Sequence, residues 1–216
     1  MNREIESEAT NNQNLIKMMG SLIEMRNLDR TDHIENVGRI VQTIGYEYLR
    51  LYPKCGLTKD DIDTYMVASY LHDIGKIAIP DSILLKPGKL TTQEFDLMKS
   101  HTNRGCNLLT HFQDLLEEKY LHAALDICKH HHERYDGTGY PDKLVGDAIP
   151  LSAQLTCIAD VYDSILHESV YEIAHTKEEA FHMIISGQCG MFSPKILECF
   201  RNVQSELEQI ESSAMI

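Results

Sequence analysis

The chain has 216 residues, of which 43% are apolar and 25% are charged, the proportions of an ordinary globular protein. Its formal net charge of −13 argues against a binder of DNA or RNA duplexes, because phosphate backbones are held by clustered Lys and Arg. No apolar run approaches the ~20 residues that span a bilayer, and the acidic N-terminus is not a secretory signal. The composition therefore predicts a cytoplasmic protein without membrane insertion.

Helical periodicity covers most of the chain, and strand signals are nearly absent. We therefore predict an all-α bundle of about seven helices with two long functional loops. Residues 1–28 are predicted to form a helical extension or linker, which could pack on the core or end a signalling helix. Residues 29–210 form the domain, and the polar tail 211–216 is expected to fray. The main helices are predicted near residues 33–51, 60–74, 92–112, 117–132, 150–165, 177–186 and 194–208.

The predicted helix near 92–112 has a clear start. Thr91 stands at the N-cap position and Glu94 three residues later, which is the spacing of a capping box. The apolar stripe that follows, from Phe95 to Phe112, is predicted to face the core. Two long irregular stretches, residues 76–90 and 134–149, separate these helices. Irregular segments of that length usually have a functional role.

Eleven histidines are the one unusual feature of the composition. Imidazoles and carboxylates on inward helix faces must be paired or ligated, because burying them bare is costly. Helical bundles build metal sites by bringing several such groups together. Taken singly, each is more often a satisfied core histidine or a solvated helix end, but their joint placement favours a metal. Four histidines and two aspartates fall at predicted helix ends or beside inward faces, namely His72, Asp73, His101, His131, His132 and Asp160.

Two segments carry a family resemblance. Residues 72–76, HDIGK, resemble the signature of HD-domain metal phosphohydrolases. Residues 131–141, HHERYDGTGYP, resemble the hallmark of the HD-GYP subfamily, and the similarity extends over roughly residues 29–200. The resemblance implies an HD-domain helical bundle. It also implies a bacterial signalling enzyme that hydrolyses the second messenger cyclic di-GMP to linear pGpG or GMP.

The resemblance also implies a site. Asp73 would bridge two divalent metals, most simply Fe or Mn, and a hydroxide between them would attack phosphorus. Asp73 and Lys76 would be the catalytic residues, and Asp29 with His33 falls where some members hold a third metal. The ligands of the two metals would be His72, Asp73, His101, His131, His132 and Asp160. The substrate would be held by Lys76, Arg134, Gly137, Gly139 and Tyr140, although the glycines could equally serve the loop's own shape.

The chain departs from the family after the helix of Asp160. Many members carry a D-R-P-Y-[KR] stretch there, whereas residues 168–172 read ESVYE, so that Ser169 and Glu172 replace basic residues. Three hypotheses stay open: hydrolysis of cyclic di-GMP, hydrolysis of another cyclic dinucleotide or phosphoester, and a catalytically weak nucleotide-binding regulatory module. Members of the family are commonly joined to an upstream receiver or sensor domain, and the sequence leaves such a partner, or a homodimer, open.

Overall fold

The computed structural model describes residues 2–27, 32–167 and 175–210, and the side chains of the first helix from residue 11 onward. All regular secondary structure in these ranges is helical, which confirms the all-α prediction. Four predictions concern residues outside the described ranges: the metal ligand Asp29, the altered residues Ser169 and Glu172, and the frayed tail 211–216.

The described ranges contain more helices than the predicted seven, because several predicted helices are divided and one lies in a stretch predicted to be irregular. The α-helices are α1 (Asn2–Asn27), α2 (His33–Leu51), α3 (Lys59–Ser69), α4 (Asp81–Leu84), α5 (Thr92–Lys99), α6 (His101–His111), α7 (Glu118–His130), α8 (Leu151–Leu166), α9 (Lys177–Ile185), α10 (Pro194–Asn202) and α11 (Gln204–Ile210). Short 3₁₀ helices occupy Ile74–Ala78, Gln113–Leu115 and Gly146–Ala148.

The predicted helix near 92–112 is two helices, α5 and α6, which meet at Ser100. Its capping box is confirmed, since Glu94 N donates to Thr91 Oγ1 and the Glu94 carboxylate accepts from Thr91 N. The prediction that one inward stripe runs from Phe95 to Phe112 is wrong at both ends, where the side chains are 48% and 37% exposed. A stripe keeps to one face only along a single helix axis, and this axis is interrupted.

Two hydrophobic clusters form the core. The first brings together residues of α2, α8 and α10, including Ile44, Ile158 and Phe200. The second joins α3, α7 and α1, including Leu71 and Ile127. Because α2 packs against α3 and α7 against α8, the two clusters lie side by side and the ends of these helices meet along their boundary.

Helix α1 packs on the second cluster through Ile16 and Ile23, which are buried. Between them, Gly20 lies so close to Tyr70 that an added Cβ would overlap the Tyr70 carbonyl oxygen. Packing of this segment on the core is therefore observed, whereas a role as the end of a signalling helix and the division of the chain at residue 28 stay predictions. Among the described residues, no helix combines the length and the apolar character needed to cross a bilayer.

Candidate metal centre

The boundary between the two clusters gathers seven His and Asp side chains into two groups. Within each group, one potential ligand atom per residue lies within 4.8 Å of every other. We call these groups the first donor set, which is Asp73, His101, His131 and His132, and the second donor set, which is His33, His72 and Asp160. The structure thus brings together all six residues that the sequence singled out, together with His33.

The histidines are oriented by the helix ends that carry them. His72 follows α3, and its Nδ1 lies 2.8 Å from the carbonyl oxygen of Ser69. A carbonyl can only accept, so Nδ1 donates its proton to it, and Nε2 is the ring nitrogen directed at the site. Two other histidines make the same contact with a carbonyl oxygen three or four residues earlier. His101 Nδ1 lies 2.8 Å from the Met98 carbonyl oxygen, and His131 Nδ1 lies 2.9 Å from that of Ile127.

Asp73 belongs to the first donor set and also faces the second. Its Oδ1 is 3.3 Å from Nε2 of His101, whereas its Oδ2 is 3.4 Å from Nε2 of His72. The ammonium of Lys76 approaches Oδ2 at 2.5 Å. Burial favours the neutral acid, but the charges of Lys76 and His72 outweigh it and hold the pKa of Asp73 well below its usual range. The carboxylate is therefore ionised, with one oxygen toward each set.

The donor atoms fit divalent metal ions. His72 Nε2 and Asp73 Oδ1 are buried without a hydrogen-bond partner among the described residues, a costly state that a cation would relieve. Burial lowers the pKa of His101 to about 4 and, together with the charge of His131, lowers that of His132 as well. These imidazoles are therefore neutral, which is the form that binds metal. Mixed imidazole and carboxylate ligands suit Fe, Mn and related ions.

Glycine sets the distance between the HD segment and α6. An added Cβ at Gly75 would overlap the carbonyl oxygen of His101 and the backbone nitrogen of Gly105. Only hydrogen fits at this contact, so the backbone that carries Asp73 lies directly against the start of α6. The spacing within the first donor set therefore depends on a residue that contributes no ligand.

His33 is held in place by Asp163, a residue to which the sequence assigned no role. His33 Nδ1 lies 2.6 Å from Asp163 Oδ2, and Asn36 donates to the other carboxylate oxygen at 3.1 Å. On the opposite side of the ring, Nε2 is 3.5 Å from Asp160 Oδ1. Burial lowers the pKa of His33, but the hydrogen bond that His33 donates to Asp163 and the charge of Asp160 raise it to about 9. The sequence offered one clue to this contact: Asp163 lies three residues after Asp160 on α8, so both side chains are on the same face of the helix.

The predicted third-metal pair is only partly described. His33 belongs to the second donor set, with His72 and Asp160, and Asp29 lies outside the described residues. The described residues therefore form two donor sets, and a third ion stays a prediction.

The loop that follows His132 folds back over the first donor set. The ring of Tyr140 stacks on His132 with 4.8 Å between centroids and 27° between planes. Gly137 has a positive φ of 79°, and an added Cβ at Gly139 would overlap the backbone of Glu133 and Arg134. Both glycines thus serve the shape of the loop, while a contact with a ligand stays a prediction for them.

Glu133 anchors the same loop, and the sequence did not single it out. The side chain is buried, and its carboxylate accepts from the backbone N–H groups of Asp142 at 2.7 Å and Leu144 at 3.2 Å. A carboxylate that accepts backbone donors is a strong anchor in a buried setting. Its position directly after three consecutive histidines and before a glycine-rich loop is the one clue that the sequence offered.

Arg134 contacts α8 and the segment that precedes α10. Its Nη1 donates to Cys157 Sγ at 2.7 Å, and its guanidinium lies 5.6 Å from the centroid of Phe192. An added Cβ at Gly190 would lie 2.8 Å from Arg134 Nε, so the two segments are in close contact. These contacts join the loop to α8 and to the segment before α10, and a role in substrate binding stays a prediction.

Comparison with known proteins identifies the family. The HD domain family model matches residues 14–196. The chain belongs to the HD domain family. The HD-GYP resemblance is also confirmed by relatives. A cyclic di-GMP phosphodiesterase of Vibrio cholerae is 38% identical over 198 residues, which are 90% of this chain and 40% of that protein.

A second relative from Vibrio cholerae is named 3′3′-cGAMP-specific phosphodiesterase 2. It is 33% identical over 199 residues, which are 92% of this chain and 36% of that protein. The HD domain chain thus spans about 40% of the length of the curated relatives that it matches. Its fold is similar to the crystal structure of the cyclic GMP-AMP specific phosphodiesterase V-cGAP3 of V. cholerae. The TM-score is 0.66 at 17% identity, over 95% of this chain and 51% of that chain.

Proposed function

We propose that this HD domain is a metal-dependent phosphodiesterase that hydrolyses cyclic di-GMP to linear pGpG or GMP in bacterial second-messenger signalling. The observation that carries the proposal is the position of Asp73, whose two carboxylate oxygens face different donor sets while Lys76 contacts one of them. The names of the relatives support the same chemistry, since they are phosphodiesterases of cyclic dinucleotides.

The two donor sets would hold two divalent ions, Fe or Mn by their donor chemistry, and bound ions would supply water of lowered pKa and charge compensation for phosphoryl oxygens. The reaction adds a water oxygen to phosphorus and breaks the bond from phosphorus to the ribose 3′ oxygen. The leaving oxygen takes a proton, and the product is a linear dinucleotide with a 5′ phosphate.

The side chains of this domain contribute position and charge. The histidines are fixed by their backbone carbonyl contacts before any ligand arrives, so little ordering is required on binding. The Lys76 ammonium would donate to a phosphoryl oxygen beside Asp73 and offset the negative charge that grows there. The ring of Tyr140 covers His132 and closes one side of the site.

A second candidate is hydrolysis of another cyclic dinucleotide, such as one containing adenine. Ser169 and Glu172 replace two basic residues that many cyclic di-GMP hydrolases carry, and each lost charge-assisted hydrogen bond is worth about 1.5–3 kcal/mol. The relative that is named for 3′3′-cGAMP favours this alternative as well. The cytoplasm stays the predicted compartment, and an upstream receiver or sensor domain or a homodimer stays a predicted partner.

The test is a metal analysis combined with a substrate panel. The protein is purified anaerobically with Fe or Mn, metal per chain is measured, and cyclic di-GMP and 3′3′-cGAMP are assayed. We expect about two ions per chain and turnover that Asp73→Ala abolishes together with metal binding. Asp136→Ala, which removes an exposed carboxylate of the loop, is the matched control and should keep both. A metal-loaded protein that hydrolyses neither compound would overturn the proposal and leave a nucleotide-binding regulatory module.

A further inference from the structure

Three side chains next to the first donor set form an exposed patch of two rings and one cation. Phe95 on α5 is 48% exposed, and its ring meets that of Tyr140 edge-on, at 6.4 Å and 79°. Lys99, one helical turn after Phe95, places its Nζ 5.3 Å from the Phe95 centroid and 5.9 Å from the Tyr140 centroid. We call Phe95, Lys99 and Tyr140 the aromatic platform.

The platform is continuous with the metal centre. Tyr140 stacks on His132, a member of the first donor set, so two successive ring contacts lead from a metal ligand to the exposed ring of Phe95. Helix α5 has no buried residue, and the outer face of Phe95 is open to solvent. A phosphodiester held at the donor sets would therefore have an open aromatic surface beside it.

The cation of the platform is fixed in position. Lys99 Nζ pairs with Asp96 Oδ1 at 2.6 Å, and the side chain remains 32% exposed. An ammonium has three protons, so this pair leaves donors that can serve a ligand. Because the same ammonium lies near both rings, a group that stacks on Phe95 would bring its own polar edge toward Lys99.

We propose that the aromatic platform is the subsite for one purine base of the cyclic dinucleotide. The base would stack on Phe95, and Lys99 would donate to acceptors on its edge. Guanine presents acceptors at both O6 and N7, whereas adenine presents a donor at N6, so Lys99 favours guanine. The inference rests on the proposed function and adds to it a site for base recognition, at a distance in sequence from the altered residues Ser169 and Glu172.

The absence of tryptophan from the sequence allows a direct test of stacking. Phe95→Trp places a single fluorophore on the platform, and the metal-loaded variant is titrated with GMP and with AMP, which have no phosphodiester to hydrolyse. We expect saturable quenching, with tighter binding of GMP than of AMP. Phe112→Trp is the matched control, because Phe112 is also exposed but lies at the far end of α6. No quenching with Phe95→Trp, or equal quenching in the control, would overturn the proposal.

Steady-state kinetics provide the second readout. Phe95→Ala should raise KM for cyclic di-GMP at least about fivefold, as expected from the loss of one base stack. Metal content should stay unchanged, and Phe95→Tyr should restore KM. Lys99→Met should reduce the preference for GMP over AMP. An unchanged KM in Phe95→Ala would overturn the platform while leaving the phosphodiesterase in place. If GMP quenches the fluorescence of Phe95→Trp but the metal-loaded protein hydrolyses no cyclic dinucleotide, the base subsite would be supported and the proposed activity would be refuted.

Discussion

The guanidinium of Arg26 donates to the carbonyl oxygen of Ile79 at 2.6 Å. It also donates to the carbonyl oxygen of Lys76 and pairs with Asp81 at 2.8 Å. One side chain in the last turn of α1 therefore holds the 3₁₀ segment that carries Lys76, even though the two residues lie fifty positions apart in sequence.

The contact predicts a kinetic effect without loss of metal. Arg26→Gln removes a charged donor from the backbone on which Lys76 is placed, and hydrogen bonds to charged groups are worth about 1.5–3 kcal/mol each. We expect kcat to fall about tenfold, while metal per chain stays at the wild-type value. Lys17→Gln, on the same helix as Arg26, breaks an exposed ion pair with Glu35 of α2 and should leave kcat unchanged. Equal kcat in both variants would show that Arg26 does not position Lys76.

A substitution at Gly75 is expected to reduce metal content as well as activity, unlike the substitution at Arg26. Gly75→Ala would force the HD segment away from His101, and overpacking of this kind costs about 1–3 kcal/mol. We expect metal content and activity to be lost together although every ligand is retained. Gly56→Ala is the control: Gly56 has a positive φ of 81° but open space around it, so it should lose about 1–2 kcal/mol of stability and no metal. Full metal loading of Gly75→Ala, measured by atomic emission, would contradict the prediction.

Substitution of Glu133 is expected to loosen the loop locally. Glu133→Gln keeps the shape of the side chain but removes the charge that accepts from the backbone of Asp142 and Leu144. We expect amide hydrogen exchange at these two residues to rise at least about tenfold, with a smaller change elsewhere. In contrast, Asp136→Asn alters an exposed carboxylate that accepts from Thr138 N and should change exchange only near itself. Unaltered exchange at Asp142 would rule out Glu133 as the anchor.

His33 predicts a pH dependence in the metal-free protein. Its pKa is raised from 6.5 to about 9, so the folded state binds the proton more tightly than the unfolded state. The resulting stabilisation is complete below pH 6.5 and is lost as pH rises through 9. This stabilisation is on the order of 3 kcal/mol. Chelator-treated wild type should therefore lose free energy of unfolding over this interval relative to His33→Gln, as measured by urea titration.

The matched control for that experiment is His122→Gln, which replaces an exposed histidine on α7. Its stability should follow the wild-type profile across the whole range. Parallel profiles for His33→Gln and wild type would show that the pair with Asp163 does not titrate as argued.

Six of the seven residues in the two donor sets could be predicted because local sequence patterns indicate them. A histidine that faces inward at a helix end, before a glycine or a loop, indicates a buried group that needs a partner. His72 and His131 are of this kind. Asp163 and Glu133 could not be assigned roles in the same way. Their importance lies in which atom faces them across the fold, His33 in one case and a returning loop in the other, and no local pattern records that.

The helix count and the exposure of Phe95 were missed for a related reason. Periodicity shows that a stripe exists but does not show whether the helix axis continues, so the break at Ser100 was invisible. An apolar residue in such a stripe is assigned to the core by default. Phe95 instead faces outward beside the donor sets. Its proposed role in base stacking follows from its neighbours in the fold, Tyr140 and Lys99, which are distant from each other in sequence.

The two donor sets draw on helices from both hydrophobic clusters, since α2 and α8 belong to the first and α3 and α7 to the second. Ions bound there would act as cross-links between the two halves of the core. Binding to the folded chain alone stabilises it by mass action, by about 2.7 kcal/mol at a free ion concentration of 100 times Kd. Metal supply in the cell would then govern how long the protein survives proteolysis as well as how fast it works.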